Sequence, residues 1–378
     1  MGCGCAKFLR KLSPTRVNRE QNTTLGFEGR IRTHTTSRTT SRKTAATVAP
    51  APARGRRARV KRLSAAAKRG VPAPTWTKAP PLVLTPSATV DDAVAIIGTS
   101  CRTHWKANLA AAIDGQTPEG VHQVRVSLRR FRSALSLFKK YIPETQRTAL
   151  NGEAKWLLTQ LGPVRDLDVF IQTLAKPFAE KVSEDARIAL LIRAARDERA
   201  KTHTAAAAAL TSKRAGRFAA RLDAWLSGRG WRVEDVRDGR KEQAEEFARK
   251  RINRRLRKLL AEYGDVADLS VNERHELRIA AKKVRYGLEF FGALLPSKRT
   301  DHLSSALKQL QDCLGHLNDI DVADRTIAAL TAQAADETAR RKIAAGGRQI
   351  SRYHKKAAKD AEPKAQRIWR KVRKLHTL

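Results

Sequence analysis

From Leu84 onward apolar residues return at spacings of three and four in segment after segment, and nowhere do they settle into the alternation of a half-buried strand. The pattern predicts helices near 90–113, 119–141, 145–175, 182–209, 212–227, 241–263, 271–294, 298–330, 334–358 and 363–376, and therefore an all-α fold. Thr89, Asp91 and Asp92 read as a capping-box start to the first of these, ahead of Ala93, Ile96 and Ile97. Residues 1–83 break the pattern, with 19 Lys and Arg against only Glu20 and Glu28 and no helical apolar period. Such a composition cannot bury enough apolar surface to offset its ordering entropy, so 1–83 is expected to be a disordered cationic arm.

The helical part repeats itself. Residues 122–169 align without a gap to 275–322 at an offset of 153, with 14 of 48 positions identical, where unrelated chains would share roughly three. The matches include His122/His275, Arg125/Arg278, Arg132/Arg285, Leu135/Leu288, Phe138/Phe291, Gly162/Gly315, Asp166/Asp319 and Asp168/Asp321. The expected organisation is a duplication, with halves near 84–230 and 240–378 joined through Gly228, Gly230 and Gly239.

Each copy carries one unusual helix. Val124, Leu128, Phe131, Leu135 and Phe138 step by four and three and form a core stripe, and Leu277, Ala281, Val284, Leu288 and Phe291 do the same in the second copy. Beside them run His122, Arg125, Arg129 and Arg132, and in the second copy His275, Arg278, Lys282 and Arg285. Like charges at i and i+4 oppose helix formation unless an anion lies across them. The arrangement occurs twice in register, and this favours an anion site over a merely solvated face.

Charge over the whole chain agrees. The 378 residues hold 76 Lys+Arg and 37 Asp+Glu, a formal charge of +39. Removing the arm's +17 leaves +22 on the remainder, so the helical part is itself a cation looking for a polyanion. Repeat partners among the other basic residues extend the candidate surface: Arg102 with Arg255, Arg214 with Arg367, Arg217 with Arg370, and Arg221 with Lys374. The paired Asp166/Asp168 and Asp319/Asp321 stand two residues apart, a spacing that does not share a helix face. They are expected to orient the basic stripes, and a divalent ion accompanying a phosphate ligand is the alternative. Four cysteines without paired spacing argue against a zinc site or a disulfide framework, and Cys101 and Cys313 read as core residues. No apolar run is long enough to span a bilayer. Ala6 stands where a myristoylation site takes Ser or Thr, no secretory h-region follows Lys11, and a cytoplasmic location is expected.

The segments Val-His-Gln-Val-Arg-Val-Ser-Leu-Arg-Arg-Phe-Arg (121–132) and His-Glu-Leu-Arg-Ile-Ala-Ala-Lys-Lys-Val-Arg-Tyr (275–286), with Leu-Asn-Asp-Ile-Asp-Val at 317–322 and Leu-Asp-Ala-Trp-Leu at 222–226, resemble the CHAD family of histidine-bearing α-helical domains over roughly 84–378. The resemblance implies two four-helix bundles about a pseudo-twofold axis, with a central basic surface that binds inorganic polyphosphate. It carries over His122, Arg125, Arg129, Arg130 and Arg132, and His275, Arg278, Lys282, Lys283 and Arg285. It also implies association with polyphosphate granules. The E-x-E-x-K signature of a companion triphosphate tunnel domain is absent, which points to binding rather than turnover.

Two other readings compete. Sequence-independent binding of DNA or RNA, led by Arg54, Arg56, Arg57, Arg59, Lys61 and Arg62 of the arm, follows from cationic tails in general. Hydrolysis or transfer of phosphoryl groups through His122 or His275 would use the same cations, yet the chain shows no P-loop, HExxH or nucleophile elbow. Aromatics are only 5% of the residues, too few for a stacking platform for single-stranded bases.

Overall fold

The structure, a computed structural model, describes residues 74–233 and 241–375. The expected disordered arm lies outside the described residues as far as position 73, as does Gly239 of the expected joint. Residues 74–83 run without regular structure, but Thr77 is tied to the first helix: its N–H donates to Asn108 Oδ1 (2.9 Å) and its carbonyl accepts from Asn108 Nδ2 (3.0 Å). The ordered fold therefore reaches back beyond Leu84.

Among the described residues every regular element is helical. They are α1 (Val90–Asp114), α2 (Pro118–Leu137), α3 (Glu144–Gln160), α4 (Gly162–Val169), α5 (Lys176–Ala179), α6 (Ala186–Leu210), α7 (Lys213–Ser227), α8 (Ala244–Glu262), α9 (Val271–Phe291), α10 (Lys298–Ala332) and α11 (Glu337–Lys374). Side-chain caps explain where many begin. Thr89 with Asp92, and Ser270 with Glu273, close full capping boxes on α1 and α9, while Asp185, Ser212, Ser297 and Asp336 accept first-turn amides on α6, α7, α10 and α11. Between α1 and α2, Gly115 takes the left-handed conformation (φ 73°), and a Cβ at Gly120 would sit 2.4 Å from the Ala111 carbonyl carbon. These two glycines let α2 turn back closely along α1.

Two expectations change. The helix expected over 145–175 is broken at Leu161, and from Phe170 to Ala175 the backbone widens into a π-helical turn. The helices expected over 334–358 and 363–376 are one, and Pro363 lies inside it. Pro363 forfeits one backbone hydrogen bond and crowds the carbonyl four residues back. Burial on both sides of it, through Ile350, His354 and Ala358 before and Ala365, Ile368 and Trp369 after, holds the helix continuous.

Two apolar clusters form the interior. The larger gathers α1, α2, α3, α7, α8 and α9 with the start of α10 and the end of α11, and the smaller joins the π-helical turn to α6, the second half of α10 and the first half of α11. Both draw on both sequence halves, because α10 and α11 are long enough to serve each in turn. Phe138 and Phe291, which end the two core stripes, meet through Phe247: Phe138 stacks on Phe247 (5.2 Å between centroids) and Phe291 lies edge-on to it (5.9 Å). This packing presses α2 against α9. Cys101 and Cys313 are buried core residues as expected, and burial pushes the Cys101 thiol up to about 12.

The starts of α1 and α8 are also pinned to each other. Val90 N–H donates to the Glu242 carbonyl (2.9 Å) and Ala244 N–H to the Ala88 carbonyl (2.8 Å). Nearby, buried Asp91 accepts from Trp231 Nε1 (2.7 Å), from Arg232 Nη2 (2.6 Å) and from Arg229. Burial raises this carboxyl, but the bonds from Arg232, Trp231 and Arg229 outweigh it and bring it down to about 2. A depressed carboxylate contributes stability above its unfolded value near 3.9 and loses it as pH falls through the folded one. Asp91→Asn should therefore cost about 2 kcal/mol at neutral pH, and the deficit should shrink between pH 4 and 2 when thermal unfolding is followed in acid.

Candidate functional site

The basic stripes of α2 and α9 do not lie on separate surfaces. α2 crosses α9, and α4 packs between α2 and α10, so four helices converge on one cationic cluster. From α2 come His122, Arg125 and Arg129, from α9 Arg278, Lys282 and Arg285, from α4 Arg165 and Asp166, and from α10 Asp319. Arg129 forms the joint, since it is close enough to depress the pKa values of both Arg278 and Lys282.

The cluster is half-buried and short of acceptors. Arg125 Nη1 donates to the Leu158 carbonyl (2.6 Å) and Arg129 Nε to the Arg125 carbonyl (3.3 Å), which fixes the two guanidiniums one helical turn apart. Among the described residues Arg125 Nε, Arg278 Nε and His122 Nδ1 are buried without a hydrogen-bond partner. Buried donors are almost always paired, so three orphaned polar atoms along one seam mark where an external acceptor fits.

Electrostatics show the same strain. Burial, then the nearby Arg129, brings Arg125 down to about 10. Burial followed by Arg165, Arg129 and Arg125 brings His122 down to about 4, so without a ligand this imidazole is neutral at neutral pH. Burial with Arg278, Arg129 and Arg285 takes Lys282 down to about 7. Each shift reports burial first and, after it, the like charge of neighbouring cations. The partial counter-charge comes from Asp166 and Asp319, which approach each other from α4 and α10. Burial raises both, with Arg125 pulling Asp166 back and Arg278 pulling Asp319 back. Asp166 is itself exposed, although its surroundings are crowded.

The remaining candidates separate into distinct roles. Arg132 donates to Asn151 Oδ1 (2.8 Å) and Arg285 to Gln311 Oε1 (3.1 Å), extending the two stripes outward. His275 is exposed at the far end of α9, against Asn318 Oδ1 (3.2 Å). Arg130 falls outside the cluster: one residue past Arg129 turns it about 100°, and it is 2% exposed, paired with Glu289 on α9 (2.6 Å). Lys283, its repeat partner, is exposed. Arg102 is clamped by Asp223 (2.7 and 2.8 Å) over Trp105, and Arg214 by Glu153 over Trp156. Arg255 donates to the Lys283 carbonyl (3.0 Å) and to Ser136 Oγ, and burial lowers it to about 10. Arg217 and Arg221 are exposed on α7, and Arg367, Arg370 and Lys374 on the outer face of α11. Asp168 is buried against Arg199 (2.7 Å), tying α4 to α6, and Asp321 is half-buried on α10.

Arg165 is the member that sequence reasoning missed. It adjoins Asp166, but its repeat position holds Asn318, so a filter on repeated residues passes over it. Its signal is the charge alternation Arg165-Asp166 within the repeated segment. Among the described residues no group of three or more His, Cys, Asp or Glu is placed to hold a metal ion, and no helix is long and apolar enough to cross a membrane.

Comparison with known proteins bears on this geometry. A family model described as the CHAD domain matches residues 96–328. The fold is similar to the crystal structure of the CHAD domain from the plant Ricinus communis, with a TM-score of 0.65 and 29% identity over 79% of this chain and 96% of that one. It is also similar to PptA from Streptomyces chartreusis (TM-score 0.55, 17% identity, 75% of this chain and 100% of that one), a likeness of fold alone. No curated protein matches the chain.

Proposed function

Since the chain belongs to the CHAD domain family, we propose that it binds inorganic polyphosphate along the seam where the basic faces of α2 and α9 join. The observation that carries this reading is the seam itself: Arg125, Arg129, Arg278 and Lys282 held together with orphaned donors and with only Asp166 and Asp319 as partial counter-charge. A linear, flexible row of phosphates supplies acceptors at many points along such a seam and needs neither a deep pocket nor stacking aromatics. Arg132, Arg285, His275 and Lys283 would continue the track outward. Asp166 and Asp319 would hold the guanidiniums, that of Arg165 among them, in place until the polyanion replaces the carboxylates as their partner. Residence at polyphosphate granules belongs to the same reading. So does binding without turnover, for which release of orthophosphate is the contrary observation.

The test is a titration of the full chain with long-chain polyphosphate at several salt concentrations, with duplex DNA of equal charge as competitor. Polyphosphate should win, with an affinity that falls linearly in log salt. Equal competition by DNA would favour the nucleic-acid reading and place binding on the arm's charge. The pH dependence follows from Lys282. A polyanion favours its ammonium form, so binding takes up protons, and affinity should be highest below pH 7 and decline as pH rises through it toward 8.5. A flat pH profile over that range would remove Lys282 from the seam's ligand contacts.

A further inference from the structure

Lys282 occupies a position that an ordinary phosphate-binding lysine does not need. Arg278 stands one turn before it on α9 and Arg285 one turn after, so both guanidiniums flank it on the same helix face. Arg129 approaches from α2, and Asp319, from α10, is the acid that reaches it. Among the described residues the amine has no hydrogen bond or ion pair, and its side chain is half-buried. Two requirements for an acceptor of activated acyl groups meet here: a row of guanidiniums that can hold a phosphate, and between them an amine with a lone pair to offer.

We infer that Lys282 is a site of phosphate-guided acylation, at which a small acyl phosphate docks its phosphate on Arg129, Arg278 and Arg285 and transfers its acyl group to the lysine nitrogen. In the step, the Nζ lone pair attacks the acyl carbon and forms an amide bond. The bond from that carbon to the phosphate oxygen breaks, its electrons leave with orthophosphate, and the amine's proton passes to phosphate or water. No oxidant or further reactant is needed. The guanidiniums also stabilise the charge that develops on the departing phosphate. The product has lost one cation at the centre of the seam, so acylation and polyanion binding exclude each other. This consequence rests on the proposed binding of polyphosphate, whereas the acylation itself requires only the phosphate-binding capacity of the three arginines.

The amine's ionisation sets the size of the effect. With its pKa brought down to about 7 by burial and by Arg278, Arg129 and Arg285, most of Lys282 is unprotonated at pH 7.5, against about one in a thousand of ordinary lysines. Lower basicity reduces intrinsic nucleophilicity, and a docked phosphate draws the amine back toward its ammonium form as a polyanion does; together they return part of this gain, leaving a preference of about tenfold.

The experiment treats the full chain with acetyl phosphate at pH 7.5 and follows each lysine by mass spectrometry. Lys282 should be acetylated about tenfold faster than Lys356 and Lys359, which are exposed on α11. With p-nitrophenyl acetate, which carries no phosphate, that preference should drop severalfold, and Arg278→Gln should slow the reaction of Lys282 with acetyl phosphate alone among the lysines. Saturating polyphosphate should protect Lys282. Acetylation of Lys282 no faster than that of Lys356 and Lys359, or an equal preference with both reagents, would overturn the inference. Selective acetylation that polyphosphate fails to block would support the acylation site and count against polyphosphate as the seam's occupant, so the two failures are distinguishable.

Discussion

Reversing Arg125 and Arg278 together to glutamate should weaken the proposed binding of long-chain polyphosphate by about a thousandfold at 0.1 M salt, taking roughly 1 kcal/mol for each unit of charge removed near a polyanion. Both side chains are half-buried on the seam, and both hold an Nε with no acceptor among the described residues. The change removes four units of charge from one track and places carboxylates where phosphates would lie. Beside Asp166 and Asp319 these new carboxylates would also trap the neighbouring arginines in internal pairs. The slope of log affinity against log salt should flatten by about two or more, since fewer counterions are released per chain bound. Isothermal titration over a range of salt concentrations reads both quantities. A double variant with unchanged affinity and slope would relocate binding to the exposed cations of α11 or to the arm. A circular dichroism melt accompanies the titration, because Arg125 also donates to the Leu158 carbonyl.

The second large effect concerns stability and separates a structural arginine from those of the proposed binding seam. Glu289→Ala should destabilise the fold by about 3 kcal/mol, at the low end for breaking a buried ion pair because one edge of Glu289 reaches solvent. What it leaves behind is Arg130, 2% exposed, over the Phe290 ring at 5.7 Å, with no counter-charge. Glu289 also accepts from Arg285 (3.4 Å), so α9 loses a second, weaker tie. A melting temperature lower by several degrees is the expected reading. Replacing both partners with Arg130→Met and Glu289→Leu should restore most of the loss, since an apolar pair of similar volume needs no desolvated charge. Arg130→Met alone should leave polyphosphate affinity unchanged. A loss of affinity comparable to that of the double charge reversal would return Arg130 to the binding track.

Much of this molecule follows from local chemistry. A three-and-four apolar period, Thr89 with Asp92, and Ser for a start at 270 and 297 are properties of neighbouring residues, and they determine helix class and helix starts. The angular step of 100° per residue is equally local. It put His122, Arg125, Arg129 and Arg132 on one face and already set Arg130 off it, although the family pattern counts Arg130 with the rest. Pro363 shows the limit of such reasoning, because a local rule ends a helix that burial on both sides keeps intact.

Local chemistry thus accounts for the all-α class, the placing of most helices, and two basic stripes on α2 and α9. Which cations are matched by a carboxylate and which are crowded against one another depends on how the helices pack. Arg102, Arg130 and Arg214 are taken up by Asp223, Glu289 and Glu153, partners 61 to 159 residues away, while Arg125, Arg129, Arg278 and Lys282 are left facing one another. The physical reason is that helical periodicity fixes a side chain's direction about its own axis and says nothing of what stands opposite. Coulombic energy and desolvation depend on that distance. The crossing of α2 over α9, set by Phe138, Phe247 and Phe291 in the core, turned two ordinary basic faces into one seam with a neutralisable lysine at its centre.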